Sequence, residues 1–334
     1  MRRHRFTLVP AVLLLAACGA DAPAGPPAPV AYLPGGRVLL DAHNAYPYEG
    51  QFADRIDRAL ATGVPVAIEQ DLAWCPVEPD GAPVPVVSHE VRCHGGEPAL
   101  EQYFFARIAP LMEQALAQGP SPDWPLVTLN LDFKSNEPAL HRAVWDLLGR
   151  YERWLTTAPA TPDGSVAPLT VGPLLVLTGE HPAQEQTFAG PGVERLRLFG
   201  AIPSARAVEP GDRPRAQPAT NYRRWWNHPW RVVEPEGQRE AGEWTGEDEE
   251  RLRAIVDEAR RNGLWIRFYT LNGHDGDGQG WFASYNFGSE AAVRLRWEAA
   301  TRAGVDFIAT DQYEAFAAVR RAAPAVEADR SDGS

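Results

Sequence analysis

After residue 37 the chain alternates short apolar runs with longer stretches in which apolar residues recur every three or four positions. That alternation predicts a parallel sheet whose strands are covered by helices. Eight runs qualify as strands: Val38–Ala42, Val66–Asp71, Val127–Phe133, Leu174–Leu177, Leu196–Phe199, Trp230–Val233, Ile266–Leu271 and Phe307–Thr310. Eight parallel strands favour a closed TIM (β/α)8 barrel over an open sheet, with irregularity expected in strands four to six. The best-marked helix starts at Thr245, whose hydroxyl can cap it, with Glu247, Asp248 and Glu249 at the positive end of its dipole. Leu252, Ile255, Val256 and Ala259 form its apolar face, and Asn262-Gly263 supplies a left-handed stop. The stretch from Pro203 to Arg231, rich in proline and ending in an aromatic run, predicts a long loop with one helical turn.

Ahead of the barrel, Arg2, Arg3 and Arg5 precede an apolar run from Phe6 to Ala17 that is too short to cross a bilayer. This is the pattern of an export signal over residues 1–18. The run ends in Leu15-Ala16-Ala17-Cys18, which resembles a bacterial lipobox and implies cleavage before Cys18 and lipidation of its thiol. An ordinary signal peptide cut elsewhere is the rival reading. Residues 19–36, rich in Pro, Ala and Gly, suit a flexible tether, residues 37–322 form the barrel, and residues 323–334 read as a disordered tail. The expectation is an exported monomer held in the bacterial cell envelope by its lipid anchor.

Composition changes this picture in three ways. A chain of 334 residues with 44% hydrophobic residues is large enough for one substantial core. Its formal charge of -12 argues against nucleic acid as a partner, because phosphate backbones are bound by basic surfaces. Of its 32 basic residues 31 are Arg and one is Lys, so Lys134 calls for a specific reason. An oxidising compartment favours pairing Cys75 with Cys93. A zinc site from Cys75, His89, Cys93 and His94 is the rival, but the spacing lacks the paired short intervals of zinc modules.

In a strand, positions i and i+2 point to the same side. Asp41 with His43, Glu69 with Asp71, and Asn130 with Asp132 and Lys134 therefore form three same-face sets, each at the end of its strand. In a TIM barrel those ends form the catalytic face, which would gather a histidine, several carboxylates and the lysine in one mouth. Glu69, Asp71 and Asp132 would repel one another unless a hard cation, Mg²⁺ or Ca²⁺, lay between them.

With these residues in place the chain resembles the PLC-like phosphodiesterases, which include glycerophosphodiester phosphodiesterases, phosphatidylinositol-specific phospholipases C and sphingomyelinase D-like enzymes. The matching pieces run in family order: His43-Asn44, Glu69-Gln70-Asp71, Val86-Val87-Ser88-His89-Glu90, Leu131-Asp132-Phe133-Lys134, Phe268-Tyr269-Thr270-Leu271-Asn272, and Gly304 to Asp311. The resemblance implies that Glu69, Asp71 and Asp132 bind one divalent cation, that His43 and His89 act as base and acid, and that Lys134 holds a phosphate oxygen. Asp41, Asn44, Asn130 and Asn272 would support them. Asn44 after His43, and Asp132 where glycerophosphodiesterases usually have Glu, are similar to the sphingomyelinase D side, as is the loop between Cys75 and Cys93. The implied activity is metal-dependent cleavage of a phosphodiester, as hydrolase or lyase, on a phospholipid headgroup or a glycerophosphodiester-type molecule.

Plainer readings apply elsewhere. Asp41 either orients His43 or closes its strand, and Asp311 suits a loop or helix cap better than a ligand. Trp225, Trp226 and Trp230 suit a satellite core better than a lipid-contacting lip. The segment His274-Asp275-Gly276-Asp277-Gly278 lacks the later ligands of a calcium loop and reads as a turn. His4, His94, His141, His181, His228 and His274 read as surface or hydrogen-bonded residues. A glycosidase is disfavoured because Glu69 and Asp71 stand two apart on one strand, where they suit chelation better than opposite faces of a sugar. The alternative in another class is a catalytically silent lipoprotein that binds a phosphorylated ligand, although such a scaffold has no need of a paired acid and base.

Overall fold

The computed structural model describes residues 34–47, 52–78, 81–203, 214–238, 241–274 and 285–322. Cys18, His4, the export signal, nearly all of the tether, residues 275–278 and the tail lie outside them. The strands are β1 (Leu39–Ala42), β2 (Val66–Pro76), β3 (Pro83–Val87), β4 (Val127–Phe133), β5 (Ala158–Pro159), β6 (Leu174–Thr178), β7 (Arg195–Leu196), β8 (Phe199–Ala201), β9 (Arg223–Pro229), β10 (Trp265–Tyr269) and β11 (Phe307–Thr310). Eight of them pair in parallel in the order β1-β2-β4-β6-β8-β9-β10-β11, and β11 pairs back onto β1. The sheet closes as the TIM barrel expected from the pattern.

Helices α1 (Arg55–Ala61), α2 (Ala106–Gln118), α3 (Pro138–Arg150), α4 (Pro182–Phe188), α5 (Gly246–Arg261), α6 (Glu290–Ala303) and α7 (Tyr313–Ala322) cover it. Residue 245 caps α5 through a reciprocal pair: Asp248 N–H donates to the Thr245 hydroxyl, and Thr245 N–H donates to the Asp248 carboxylate. Gly263 follows with φ +71°, the left-handed stop the Asn-Gly pair predicts.

The sequence pattern misleads in the middle of the chain. The sixth barrel strand is β9, not Trp230–Val233, and it lies inside the stretch expected to be a loop. Trp230–Val232 is instead a short 3-10 turn. β9 carries polar residues at buried positions, Arg224 and His228 among them, so its sequence shows none of the hydrophobic alternation by which a strand is recognised. The fifth is β8, while Leu196 belongs to a small ribbon in which β7 pairs antiparallel with β5. Gly200 marks the constriction in β8: a Cβ there would stand 2.4 Å from the Tyr222 ring, and the register to β9 shifts between Gly200 and Ala201. The seventh strand stops at Tyr269, because Thr270 turns to φ +71°. Trp225, Trp226 and Trp230 belong to the main core.

Candidate active site

Register brings the chemistry together. Glu69 pairs across from Asn130 and Asp71 from Asp132, and Asp41 sits opposite Ala67, so these side chains share the lumen side at the carboxyl ends of β1, β2 and β4. Glu69, Asp71, Asn130 and Asp132 open into a cavity of about 290 Å³, lined also by His43, His89, Lys134, Asn227, Arg267, Tyr269 and Tyr285.

Glu69, Asp71 and Asp132 can each offer one oxygen, with those oxygens all within 4.8 Å of one another. Three hard carboxylate donors at that separation fit a divalent cation. The surrounding charges fit it too. Arg267 donates to Asp41 through Nε, to Glu69 Oε1 at 3.0 Å and to Asn227 Oδ1 at 3.1 Å. The Lys134 ammonium lies 2.7 Å from both Asp71 Oδ2 and Asp132 Oδ2. Four carboxylates, counting Asp41, thus face two fixed cations and lack the charge of one divalent ion. Loss of hydration raises the Asp132 pKa and the adjacent Asp71 adds to the rise, although nearly half of the side chain is accessible from the mouth. Burial pushes Asp71 up, but the hydrogen bond from His89, the charge of Lys134 and the Tyr46 hydroxyl outweigh it and hold the carboxyl below its usual range.

The two histidines lie against different members of the cluster. His89 Nδ1 is 2.8 Å from Asp71 Oδ2, a bond that holds the proton on Nδ1 and leaves Nε2 for the mouth. Its loop is held at the base by the Cys75–Cys93 disulfide and by Ser88 N–H, which donates to Asp71 O at 3.0 Å. The disulfide consumes both thiols, which removes the zinc reading. His43 Nε2 stands 3.5 Å from Glu69 Oε2, and its Nδ1 is 3.2 Å from Asp311 Oδ1 and 2.8 Å from Asn44 Nδ2. Burial alone would lower the His43 pKa, but Glu69 and Asp311 together outweigh it, and the pKa is raised.

Two sequence expectations change here. Asp41 does not bond His43; it pairs with Arg267 at the floor of the site. The orienting role falls to Asp311, which is held by Arg55 at 3.1 Å and by Asn272 Nδ2 at 2.6 Å. Asp311 is therefore more than a cap. Asn44 N–H donates to Glu69 Oε2 at 3.1 Å, helped by a left-handed φ of +53°. Asn130 approaches Asp41 at 3.5 Å, and Asn272 reaches His43 only through Asp311.

Arg267, Tyr46 and Arg55 belong to the candidate site and were missed by sequence reasoning. Arg267 stands two before Tyr269 on a strand and shares its face, a signal the pattern carried. Tyr46 stands three residues after His43 in the run His43-Asn44-Ala45-Tyr46, and its hydroxyl lies 2.5 Å from Asn44 Oδ1, 2.7 Å from Asp71 Oδ2 and 3.1 Å from His89 Nδ1. Burial and the neighbouring Asp71 push its pKa well up, so the phenol keeps its proton. Of the remaining histidines, His94 pairs with Glu90 at the surface, His181 caps α4, and His141 and His228 are buried in the outer layer.

No protein-family profile and no curated protein matches this chain. Among solved structures it is similar to a calcium-dependent phosphoinositol-specific phospholipase C from a Pseudomonas species, at 13% identity and TM-score 0.44 over 84% of this chain and 91% of that one. It is similar also to a glycerophosphoryl diester phosphodiesterase from Parabacteroides distasonis, at 11% identity and TM-score 0.42 over 85% and 86% of the two chains. A glycerophosphodiester phosphodiesterase from Agrobacterium tumefaciens matches at 17% identity and TM-score 0.37 over 85% and 99%. Likeness at this level assigns no activity.

Proposed function

We propose that this protein is a phosphoric diester hydrolase or lyase that depends on one divalent cation, Mg²⁺ or Ca²⁺, and acts on a phospholipid or glycerophosphodiester-type substrate. One observation carries the reading: two imidazoles, His43 against Glu69 and His89 against Asp71, flank a carboxylate cluster sized for a cation, with Lys134 beside it. A bound cation would be held by Glu69, Asp71 and Asp132 and would supply charge to neutralise the nonbridging phosphate oxygens. Lys134 adds a second positive charge for those oxygens.

His43 takes the proton from a hydroxyl as that oxygen forms its bond to phosphorus. His89 gives its proton to the leaving oxygen as the old bond breaks. Asp311 holds the first ring and Asp71 the second. The attacking hydroxyl belongs to the substrate itself, since a group tethered beside phosphorus has a large entropic advantage over water. The His-Asn pattern at His43-Asn44 and its resemblance to the cyclising phosphodiesterases support that choice. We also propose export and lipid anchoring through Cys18, on the strength of Leu15-Ala16-Ala17-Cys18.

The test uses lysophospholipids with a free neighbouring hydroxyl beside the same molecules methylated at that hydroxyl, with and without chelator, followed by phosphorus NMR. Cation-dependent formation of a cyclic phosphate from the free form alone is expected. Turnover that survives excess chelator would overturn the metal dependence. Equal turnover of the methylated form, with solvent ¹⁸O entering the first product, would overturn the nucleophile. A purified domain that binds phosphorylated ligands and turns none over would be a binding protein instead.

A further inference from the structure

His43 and His89 sit on different loops, yet an unbroken run of short polar contacts joins them. Asn44 Nδ2 is 2.8 Å from His43 Nδ1 and 3.3 Å from Asp311 Oδ1. The other end of the same amide, Oδ1, is 2.5 Å from the Tyr46 hydroxyl. That hydroxyl is 2.7 Å from Asp71 Oδ2, which in turn is 2.8 Å from His89 Nδ1. Tyr46 is fully buried, and its ring lies nearly parallel to that of His89, 17° between planes with centroids 6.3 Å apart.

We infer that Tyr46 is a positioning residue whose hydroxyl ties the His43 side of the site, through Asn44, to the His89 side, through Asp71. The inference rests on the assignment of His43 and His89 as the acid–base pair. A fully buried phenol brings its hydroxyl into a site only where the hydroxyl is bonded, because an unpaired buried hydroxyl is costly. Here it has more contacts than one proton can serve. The phenol offers one donor, and both Asn44 Oδ1 and Asp71 Oδ2 are acceptors at hydrogen-bonding distance. Asp71 Oδ2 also receives His89 and Lys134, so the phenol proton can turn toward Asn44 without stranding the carboxylate. A change in how Asn44 meets His43 is then felt at Asp71, and through Asp71 at the ring of His89. Tyr46 reaches neither the substrate nor the cation in this scheme; it acts by holding Asn44 and Asp71 in fixed relation.

Tyr46→Phe keeps the ring and removes only the bridge. At saturating cation, kcat should fall about ten- to a hundredfold, the range for loss of a group that orients catalytic ligands, with KM near wild type. Nitrogen NMR of the imidazoles supplies the readout that a merely structural tyrosine would not move. Resonances of both His43 and His89 should shift in Tyr46→Phe. Asn44→Ala should shift His89 in the wild-type background and leave it still in the Tyr46→Phe background. Loss of stability in Tyr46→Phe with unmoved imidazole resonances would overturn the inference, as would Asn44→Ala that leaves His89 unshifted in the otherwise intact protein. If no phosphodiester is turned over, the activity proposed above falls, while the imidazole spectra still decide the bridge.

Discussion

Two pairs of histidines divide this barrel into two electrostatic regions. His43 and His89 lie in the mouth, each with a carboxylate at its ring. His141 and His228 lie in the layer between strands and helices, packed edge-on against Phe133 and Trp226 respectively. Neither nitrogen of His228 has a hydrogen-bond partner among the described residues. Burial acts on both regions and always disfavours the charged ring. In the outer layer it acts nearly unopposed and lowers His228 to about 3 and His141 to about 4. At His43 the neighbouring Glu69 and Asp311 reverse its sign. Burial alone therefore says little about a histidine; at His43 the facing carboxylates outweigh it.

The sharpest way to break this contrast is to remove the rings. His43→Ala and His89→Ala should each lower turnover by on the order of a hundredfold or more, while cation-dependent stability survives. His228→Phe should leave turnover near wild type. Steady-state kinetics beside thermal melts will decide, and equal loss of activity from both regions would erase the distinction.

The disulfide sharpens the contrast from the structural side. His89 rides on a loop held by Cys75–Cys93, whereas His228 is locked into a strand. Paired Cys75→Ser and Cys93→Ser substitutions should cost about 3 kcal/mol of stability by loop-entropy reasoning. They should also broaden the His89 imidazole resonance before that of His228, as NMR of the two rings can show. A rigid His89 in the disulfide-free protein would mean that Asp71 alone holds it.

The smallest effect is on acid stability. Above pH 6.5 His228 is neutral in the folded and unfolded chains. Between there and about pH 3 only the unfolded chain binds the proton, so folding weakens as pH falls. The slope for this one group is about 1.4 kcal/mol per pH unit. Asp306, raised by burial to about 7, acts in the opposite sense, since deprotonation favours the unfolded chain as pH rises toward that value. Denaturant melts of wild type and His228→Phe between pH 7.5 and 5 isolate the histidine by difference. Parallel pH profiles would mean that His228 is solvated or paired.

Much of the mouth was legible because strands have a period of two. Glu69 with Asp71, and Asp132 with Lys134, announce a shared face from spacing alone, and the order of His43 and His89 around them supplies the rest. The aromatic strand β9 was not legible, because polar residues such as Arg224 and His228 occupy its buried positions and erase the hydrophobic alternation by which strands are recognised. Nor was Asp311, whose local surroundings are those of a helix cap; its role comes from His43, 268 residues away in the chain.

The sequence by itself determined the number and order of most barrel strands, the faces on which the carboxylates lie, and the capping of α5, since each depends on interactions within a few residues. Tertiary structure alone decided which charges meet. Arg267 reaches Asp41 across 226 residues and Glu69 across 198, and Tyr46 joins Asn44, on the loop after β1, to Asp71 on β2. Closing the barrel sets those distances, and Coulomb and hydrogen-bond energies depend on distance in space rather than along the chain.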